Sequence, residues 1–179
     1  MDEDKRNVTD EFRDMSVEDI TAVLDTRRQP LQIAVENVTR DFNMGTIVRN
    51  ANAFNVSMIH VVGRKQWNKR GAMVTDRYMH ITYHQSVADF VKSMEGAAII
   101  GIDNIEGSVP LGETQLPYNA VLVFGSEGDG LSQEMIDACE KLVAIEQFGS
   151  TRSVNVGVAS GIAMYAWIQQ HALGAKSAT

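Results

Sequence analysis

Three polar stretches of this sequence contain residue types that bind ligands or take part in catalysis. They occupy residues 37–49, 125–130 and 149–155, and each follows a short apolar run typical of a buried β-strand. In open α/β sheets the ligand lies outside the carboxyl ends of the strands. We therefore expect the three stretches to converge on one site.

The glycine-rich run 125–130 allows the backbone to approach a ligand closely, because glycine has no side chain and adopts unusual dihedral angles. Its pattern is GxxGxG, so it is neither the GxGxxG dinucleotide motif nor a Walker loop. A purely structural turn is the alternative. Glu127 within the run could accept a hydrogen bond from a ligand hydroxyl or hold a neighbouring arginine.

The other two stretches place polar side chains near predicted helix starts. Asn43 can cap a helix that begins near Met44, and Arg49 follows about one and two-thirds turns along it, among small and apolar residues. Arg49 is either an ordinary exposed side chain or a functional cation. Ser153 and Asn155 stand at the start of the last helix, where free N–H groups suit an anionic or carbonyl-bearing ligand. Capping alone could explain Ser153.

Strand and helix patterns alternate along the chain. Buried strands are predicted at residues 31–38, 58–62, 81–84, 97–102, 121–124 and 142–145. Because these runs are apolar on both faces, they predict an α/β fold with a mostly parallel sheet and helices on both faces. Residues 1–30 are expected to form an acidic helical extension, and residues 31–179 the main domain.

The charge of the chain is segregated. The net charge is -7, yet residues 26–77 contain nine basic and three acidic residues, a net charge of +6. Phosphate binding needs a basic surface, so this segment is a candidate for nucleic-acid contact. An ordinary solvated surface is the alternative interpretation.

Taken together, the three stretches resemble the SpoU/TrmH family of RNA ribose 2'-O-methyltransferases, within the SPOUT class. The matching motifs run from Glu36-Asn37-Val38 through NMGTIVRNA to Phe54, then LVFGSEGDGL at 122–131, and Ile145, Gly149 and SVNV at 153–156. Their order and separations also match. The resemblance covers residues 31–171 and implies a C-terminal trefoil knot, a rare topology.

The resemblance also implies S-adenosylmethionine as cofactor, RNA as substrate and a homodimer. It implies Arg49 as the catalytic arginine and Asn43 as its motif partner, with Glu127, Ser153 and Asn155 shaping the site. The implied cofactor contacts are Phe124, Gly125, Ser126, Glu127, Gly130, Ile145, Val154 and Asn155. Arginine is a poor base, with a pKa above about 12. Arg49 is therefore expected to bind a phosphate and orient the 2'-hydroxyl, and a phosphate-assisted base is the alternative.

Two features depart from the family pattern. Glu146 stands where proline often follows the isoleucine of the third motif, and only about thirty residues precede the first strand. With no added RNA-binding domain, RNA would have to be held by the central basic residues, which are Arg27, Arg28, Arg40, Arg64, Lys65, Lys69 and Arg70.

Transfer RNA, methylated at guanosine, is the expected substrate. Ribosomal RNA, a non-catalytic RNA-binding protein of the same fold and a small-molecule nucleotide enzyme are the alternatives. The four histidines lack metal-ligand spacing, so no metal is expected. No apolar run approaches the roughly 20 residues of a membrane span, and the acidic start does not resemble a secretory signal. These features predict a cytoplasmic protein with no membrane partner.

Overall fold

The computed structural model describes residues 8–37, 43–126 and 128–174. Within them, seven strands form one sheet in which every adjacent pair is parallel. The strands are β1 (Gln29–Asn37), β2 (Val56–Gly63), β3 (Ile81–His84), β4 (Ala98–Ile102), β5 (Val109–Pro110), β6 (Ala120–Phe124) and β7 (Lys141–Ala144). Their spatial order is β3-β2-β1-β6-β4-β7-β5.

Five α-helices accompany these strands in the described part of the chain. They are α1 (Val17–Asp25), α2 (Asn43–Ala53), α3 (Val87–Ser93), α4 (Gln133–Ala138) and α5 (Val156–Ile168). Short 3-10 turns occur at Asp10–Phe12, Lys69–Ala72, Thr75–Tyr78 and Leu111–Glu113, and a π-helical turn at Gln169–Leu173 follows α5.

The sheet is buried on both faces, as the unbroken apolar runs predicted. On β6, Leu122 and Phe124 belong to the core beneath α2 and α5, whereas Val121 and Val123 belong to the core beneath α3 and α4. Side chains alternate across a strand, so a strand covered on both faces must be apolar at every position. The predicted α/β architecture, with helices on both faces of a parallel sheet, is confirmed. The trefoil knot stays a prediction.

The differences from the predicted elements have local causes. Helix α4 is short and ends at Ala138, because Cys139 is extended and leads into β7. The segment between the predicted strands 97–102 and 121–124 contains the short edge strand β5 and the turn Leu111–Glu113, neither of which was predicted. Two residues are too few to give a periodic signal. At the other end of the chain, α1 packs through Ile20 and Leu24 against Tyr78.

Two histidines form a buried hydrogen-bonded pair between β2 and β3. Nδ1 of His60 lies 2.9 Å from Nε2 of His84, and Nε2 of His60 lies 2.8 Å from Oε1 of Gln32. Since the Gln32 oxygen only accepts, Nε2–H of His60 donates to it, and Nδ1 accepts from His84. Burial first, and then the charge of His84, lower the pKa of His60 to about 4.

The neutral His60 required by this network makes stability depend on pH. The folded pKa lies below the unfolded value of about 6.5, so the stabilisation is complete above that value and is lost as pH falls towards 4. We expect the free energy of unfolding to be about 2 kcal/mol lower at pH 5 than at pH 7.5. Urea denaturation at both pH values measures it.

The matched variants for this measurement are His60→Gln and His80→Gln. The first should show a smaller fall between the two pH values. The second, which removes a partly exposed histidine outside the buried pair, should keep the wild-type fall. An equal fall in His60→Gln and wild type would contradict the assignment.

Candidate functional site

A cavity of about 400 Å³ opens at the carboxyl edge of the sheet, within the range of small-molecule sites. Loops that follow β4, β6 and β7 form it, together with the start of α5. Parallel strands place all these loop origins at the same edge. The predicted site residues that line it are Gly125, Ser126, Gly130, Ile145, Ser153, Val154 and Asn155.

The glycine-rich run forms a tight hairpin on one wall of the cavity. Ser126 and Gly130 exchange backbone hydrogen bonds of 3.0 and 3.2 Å. A Cβ atom at Gly125 would lie 2.1 Å from the carbonyl carbon of Gly130, and Gly130 itself has φ +69°. Geometry therefore requires glycine at both positions, and the same tight turn exposes backbone groups to the cavity.

Two buried polar atoms beside the cavity lack a hydrogen-bond partner within the described residues. They are Oγ of Ser126 and Oε1 of Gln147, and both residues contribute to the lining. Burying a polar group without a partner is unfavourable by about 1–3 kcal/mol. Gln147 was not among the residues predicted from the sequence motifs.

Asn155 links the third stretch to the first. Its Oδ1 accepts from the backbone N–H groups of Gly157 and Val158, at 3.0 and 3.3 Å, and so caps α5. Its Nδ2 donates to Oδ1 of Asn43 at 2.9 Å, at the start of α2. Asn43 thus does not line the cavity itself but is bonded to a residue that does. Asn155, not Ser153, is the cap, and Ser153 is exposed at the cavity.

A second polar contact between α2 and α5 involves Asn50, which the sequence motifs did not single out. Nδ2 of Asn50 donates to the carbonyl oxygen of Gly157 at 2.9 Å and to Oγ of Ser160 at 3.0 Å. Asn50 lies seven residues after Asn43 and therefore on the same face of α2. That seven-residue spacing is the sequence signal from which a role for Asn50 beside Asn43 could have been predicted.

Other predicted site residues lie apart from the cavity lining. Arg49 is exposed on α2, and its six-residue separation from Asn43 places it on a different face of the helix. Phe124 is fully buried in the core, directly before the glycine hairpin in the sequence, and does not line the cavity. Glu127 and Arg40 lie outside the described residues.

Part of the predicted basic surface lies at the same edge as the cavity. Residues 64–70 follow the carboxyl end of β2, and Arg64, Lys65, Lys69 and Arg70 are exposed. The turn Lys69–Ala72 is held against the start of α2, where a Cβ atom at Gly45 would lie 2.7 Å from the backbone of Ala72. Lys69 is already paired, since its Nζ lies 2.8 Å from Asp76.

Arg28 is not exposed as predicted, and RNA contact by Arg27 stays a prediction. Both precede β1 and so lie at the amino edge of the sheet, opposite the cavity. The Arg28 side chain is only 7% exposed, and it donates to Asp25 at 2.6 Å and to the carbonyl oxygen of Tyr78 at 2.8 Å. It holds α1 to the sheet and is not free for RNA. Arg27 pairs with Glu11 at 3.0 Å.

Glu146, which replaces the proline typical of the family, makes a contact away from the cavity. Its Oε1 accepts from the backbone N–H of Gly112 at 2.8 Å, which fixes the loop after β7 to the turn Leu111–Glu113. The carboxylate is absent from the cavity lining. In the described part of the chain, no group of three or more His, Cys, Asp or Glu side chains is placed to hold a metal ion.

Among the helices that the structure describes, none has the length and apolar character needed to cross a membrane.

Comparison with known proteins gives a consistent set of relatives. The SpoU rRNA Methylase family model matches residues 30–165. The 23S rRNA (guanosine-2'-O-)-methyltransferase RlmB of Vibrio cholerae is 26% identical over 168 residues, covering 88% of this chain and 66% of that protein. The tRNA (guanosine(18)-2'-O)-methyltransferase of Escherichia coli K12 is 26% identical over 145 residues, covering 78% and 63%. This chain therefore spans about two thirds of the length of these relatives.

Among solved structures, the A. aeolicus TrmH/SpoU tRNA modifying enzyme superposes with a TM-score of 0.78 at 25% sequence identity. The match covers 89% of this chain and 84% of that one. The similarity therefore extends over most of the chain.

The glycine hairpin gives a direct test of the cavity geometry. Gly125→Ala should lower the free energy of unfolding by about 1–3 kcal/mol, because the added methyl group meets backbone atoms that cannot move aside cheaply. Gly149→Ala is the matched control, since a Cβ there meets nothing within 4 Å. Thermal and urea denaturation of both variants measure the difference. Equal stability of the two variants would argue against the hairpin geometry.

Proposed function

Because the chain belongs to the SpoU rRNA Methylase family, we propose that it transfers a methyl group from S-adenosylmethionine to a ribose 2'-hydroxyl of RNA. The observation that carries the proposal is the cavity at the carboxyl edge, where the second and third family motifs meet and Asn43 of the first is bonded to its wall. The substrate proposed is a guanosine nucleotide of transfer RNA. Support comes from the similarity to a tRNA modifying enzyme and to a tRNA guanosine methyltransferase.

The residues around the cavity fit the cofactor. A nucleoside with an amino-acid tail offers donors and acceptors at both ends, and such groups would satisfy the unpartnered atoms of Ser126 and Gln147. The hairpin and the backbone at Ile145 and Val154 supply further N–H and carbonyl groups, and the glycines permit close approach. We assign cofactor binding to Gly125, Ser126, Gly130, Ile145, Val154 and Asn155, with Phe124 supporting the hairpin and Glu127 as a further contact.

When bound, S-adenosylmethionine supplies an activated methyl group on sulfur. The protein must then align the 2'-hydroxyl in line with that bond and help it lose its proton. Asn155 and Asn43 fix the two helix starts beside the cavity, and Ser153 is exposed at its rim. We assign Arg49 the task of binding the phosphate next to the target ribose, which orients the hydroxyl. A bidentate guanidinium suits that contact.

RNA binding is assigned to the basic segment at the cavity edge. Arg64, Lys65 and Arg70 are exposed there, and Lys69 stands over the ring of Trp67 while paired with Asp76. Positive side chains that neutralise phosphates supply most of the sequence-independent affinity for RNA. Arg40 lies outside the described residues and remains a proposed contact on its sequence position alone.

A homodimer would complete this site. Helix α5 presents an exposed apolar face made by Val158, Ile162 and Tyr165, at positions i, i+4 and i+7. Contiguous apolar surface of this kind is typical of subunit interfaces. Arg49 does not line the cavity of its own chain, so we propose that dimerisation brings Arg49 of one protomer to the cavity of its partner.

Methyl transfer from labelled S-adenosylmethionine tests the proposed activity and substrate together. We expect label in bulk transfer RNA, recovered after digestion as 2'-O-methylguanosine. Arg49→Ala should lower the rate at least about 100-fold, whereas the control Arg13→Ala, which removes an exposed arginine paired with Asp10, should keep the wild-type rate. Arg49→Lys should also lose nearly all activity, since lysine cannot make the bidentate contact.

Other outcomes of the same assay are equally informative. Label in ribosomal RNA alone would move the substrate to that class. RNA binding with no label in either RNA would leave a non-catalytic RNA-binding protein, and cofactor-independent nucleotide binding would indicate a small-molecule enzyme.

The proposed interface makes its own prediction. Ile162→Asp places a charge in the exposed apolar face of α5 and should convert the protein from twice the chain mass of 19.7 kDa to a monomer. Methyl transfer should fall with it. Val91→Asp is the control, because Val91 is an exposed apolar residue on α3, on the opposite face of the sheet. Sedimentation equilibrium measures both masses, and an Ile162→Asp dimer would contradict the interface.

A further inference from the structure

Phe148 is the most exposed of the large apolar side chains that the structure describes. Its side chain is 98% exposed, and the next is Tyr118 at 61%. Phe148 directly follows Gln147 and lies five residues before Ser153, both of which line the cavity. An isolated exposed apolar residue is common on protein surfaces, so what distinguishes Phe148 is its place in the loop between two residues that line the cavity.

The loop that carries Phe148 is fixed on both sides. Before it, Glu146 accepts from the backbone N–H of Gly112 at 2.8 Å. After it, Nδ2 of Asn104 donates to the carbonyl oxygen of Arg152 at 2.9 Å, and Asn104 itself lines the cavity. The backbone on each side of Phe148 is thus fixed near the cavity, while the ring itself is exposed.

The composition of this loop favours a nucleic acid. Residues 148–153 read Phe-Gly-Ser-Thr-Arg-Ser, and all six are exposed. No acidic residue occurs from position 147 to the end of the chain, although the whole protein has a net charge of -7. An aromatic ring among an arginine, hydroxyl groups and a glycine is the combination with which proteins stack on unpaired RNA bases and contact the adjoining phosphates.

We propose that Phe148 stacks on an RNA base at the cavity mouth, beside the ribose that receives the methyl group. The proposal rests on the proposed function and names a substrate-binding residue for it. A subunit contact fits less well, because interface cores are contiguous apolar patches. Such a patch exists on α5, whereas Phe148 has only polar residues and a glycine beside it in residues 146–153. Stacking engages the face that every base has, so Phe148 contributes affinity more than base selection.

Replacement of the ring separates stacking from other roles. Phe148→Ala and Phe148→Leu should raise the dissociation constant for substrate RNA about 5- to 150-fold, the loss of one base-stacking contact. Phe148→Trp should retain wild-type affinity. The affinity for S-adenosylmethionine, measured by calorimetry, and the mass in sedimentation equilibrium should not change. Tyr118→Ala is the control, since Tyr118 is an exposed aromatic residue just before β6, at the opposite edge of the sheet.

Three results would overturn the stacking assignment while the proposed function stands. The first is wild-type RNA affinity in Phe148→Ala. The second is wild-type RNA affinity in Phe148→Leu, which would indicate simple apolar contact, and the third is dissociation of the dimer in Phe148→Ala, which would assign the ring to the subunit interface. If wild-type protein neither binds nor methylates RNA, the proposed function fails, and the assignment of Phe148 fails with it.

Discussion

The amide of Asn155 makes the contact on which the arrangement of the site depends. One end of the amide caps α5, and the other binds Asn43 at the start of α2, 112 residues earlier in the chain. A carboxylate cannot donate, and a shorter or apolar side chain cannot reach both partners. Since Asn50 makes a second polar contact between the same helices, α2 and α5 are held in one orientation. The cavity wall and the helix that carries Arg49 are therefore parts of one packed unit.

The parallel sheet explains why residues so distant in sequence can meet. Every strand points the same way, so all loops that follow strands emerge at one edge. That edge holds the cavity, the glycine hairpin and the basic segment 64–70. The opposite edge holds α1, Arg28 and its ion pair with Asp25. The direction of the strands therefore places the candidate site at one edge of the sheet and the contacts that attach the N-terminal helix at the other.

Sequence patterns predicted the strands well, because burial on both faces leaves unbroken apolar runs that contrast sharply with the polar turns between them. They also predicted the convergence of the second and third motifs, which follows from strand direction alone. They did not predict the role of Arg28. An arginine that donates to carbonyl oxygens within the protein cannot be distinguished, from sequence alone, from an arginine that binds phosphate. Nor did they predict Gln147 or Asn50, whose roles depend on side-chain partners that only packing determines. Edge strand β5, with two residues, is too short for a periodic signal.

The close approach of Gly45 and Gly71 fixes the position of the basic segment relative to α2. With backbone against backbone, α2 and the turn Lys69–Ala72 have no room to slide past each other. The backbone that carries Arg70 therefore keeps one position relative to the helix that carries Arg49. Any ligand that contacts both arginines, as proposed above for RNA, would have to match that spacing.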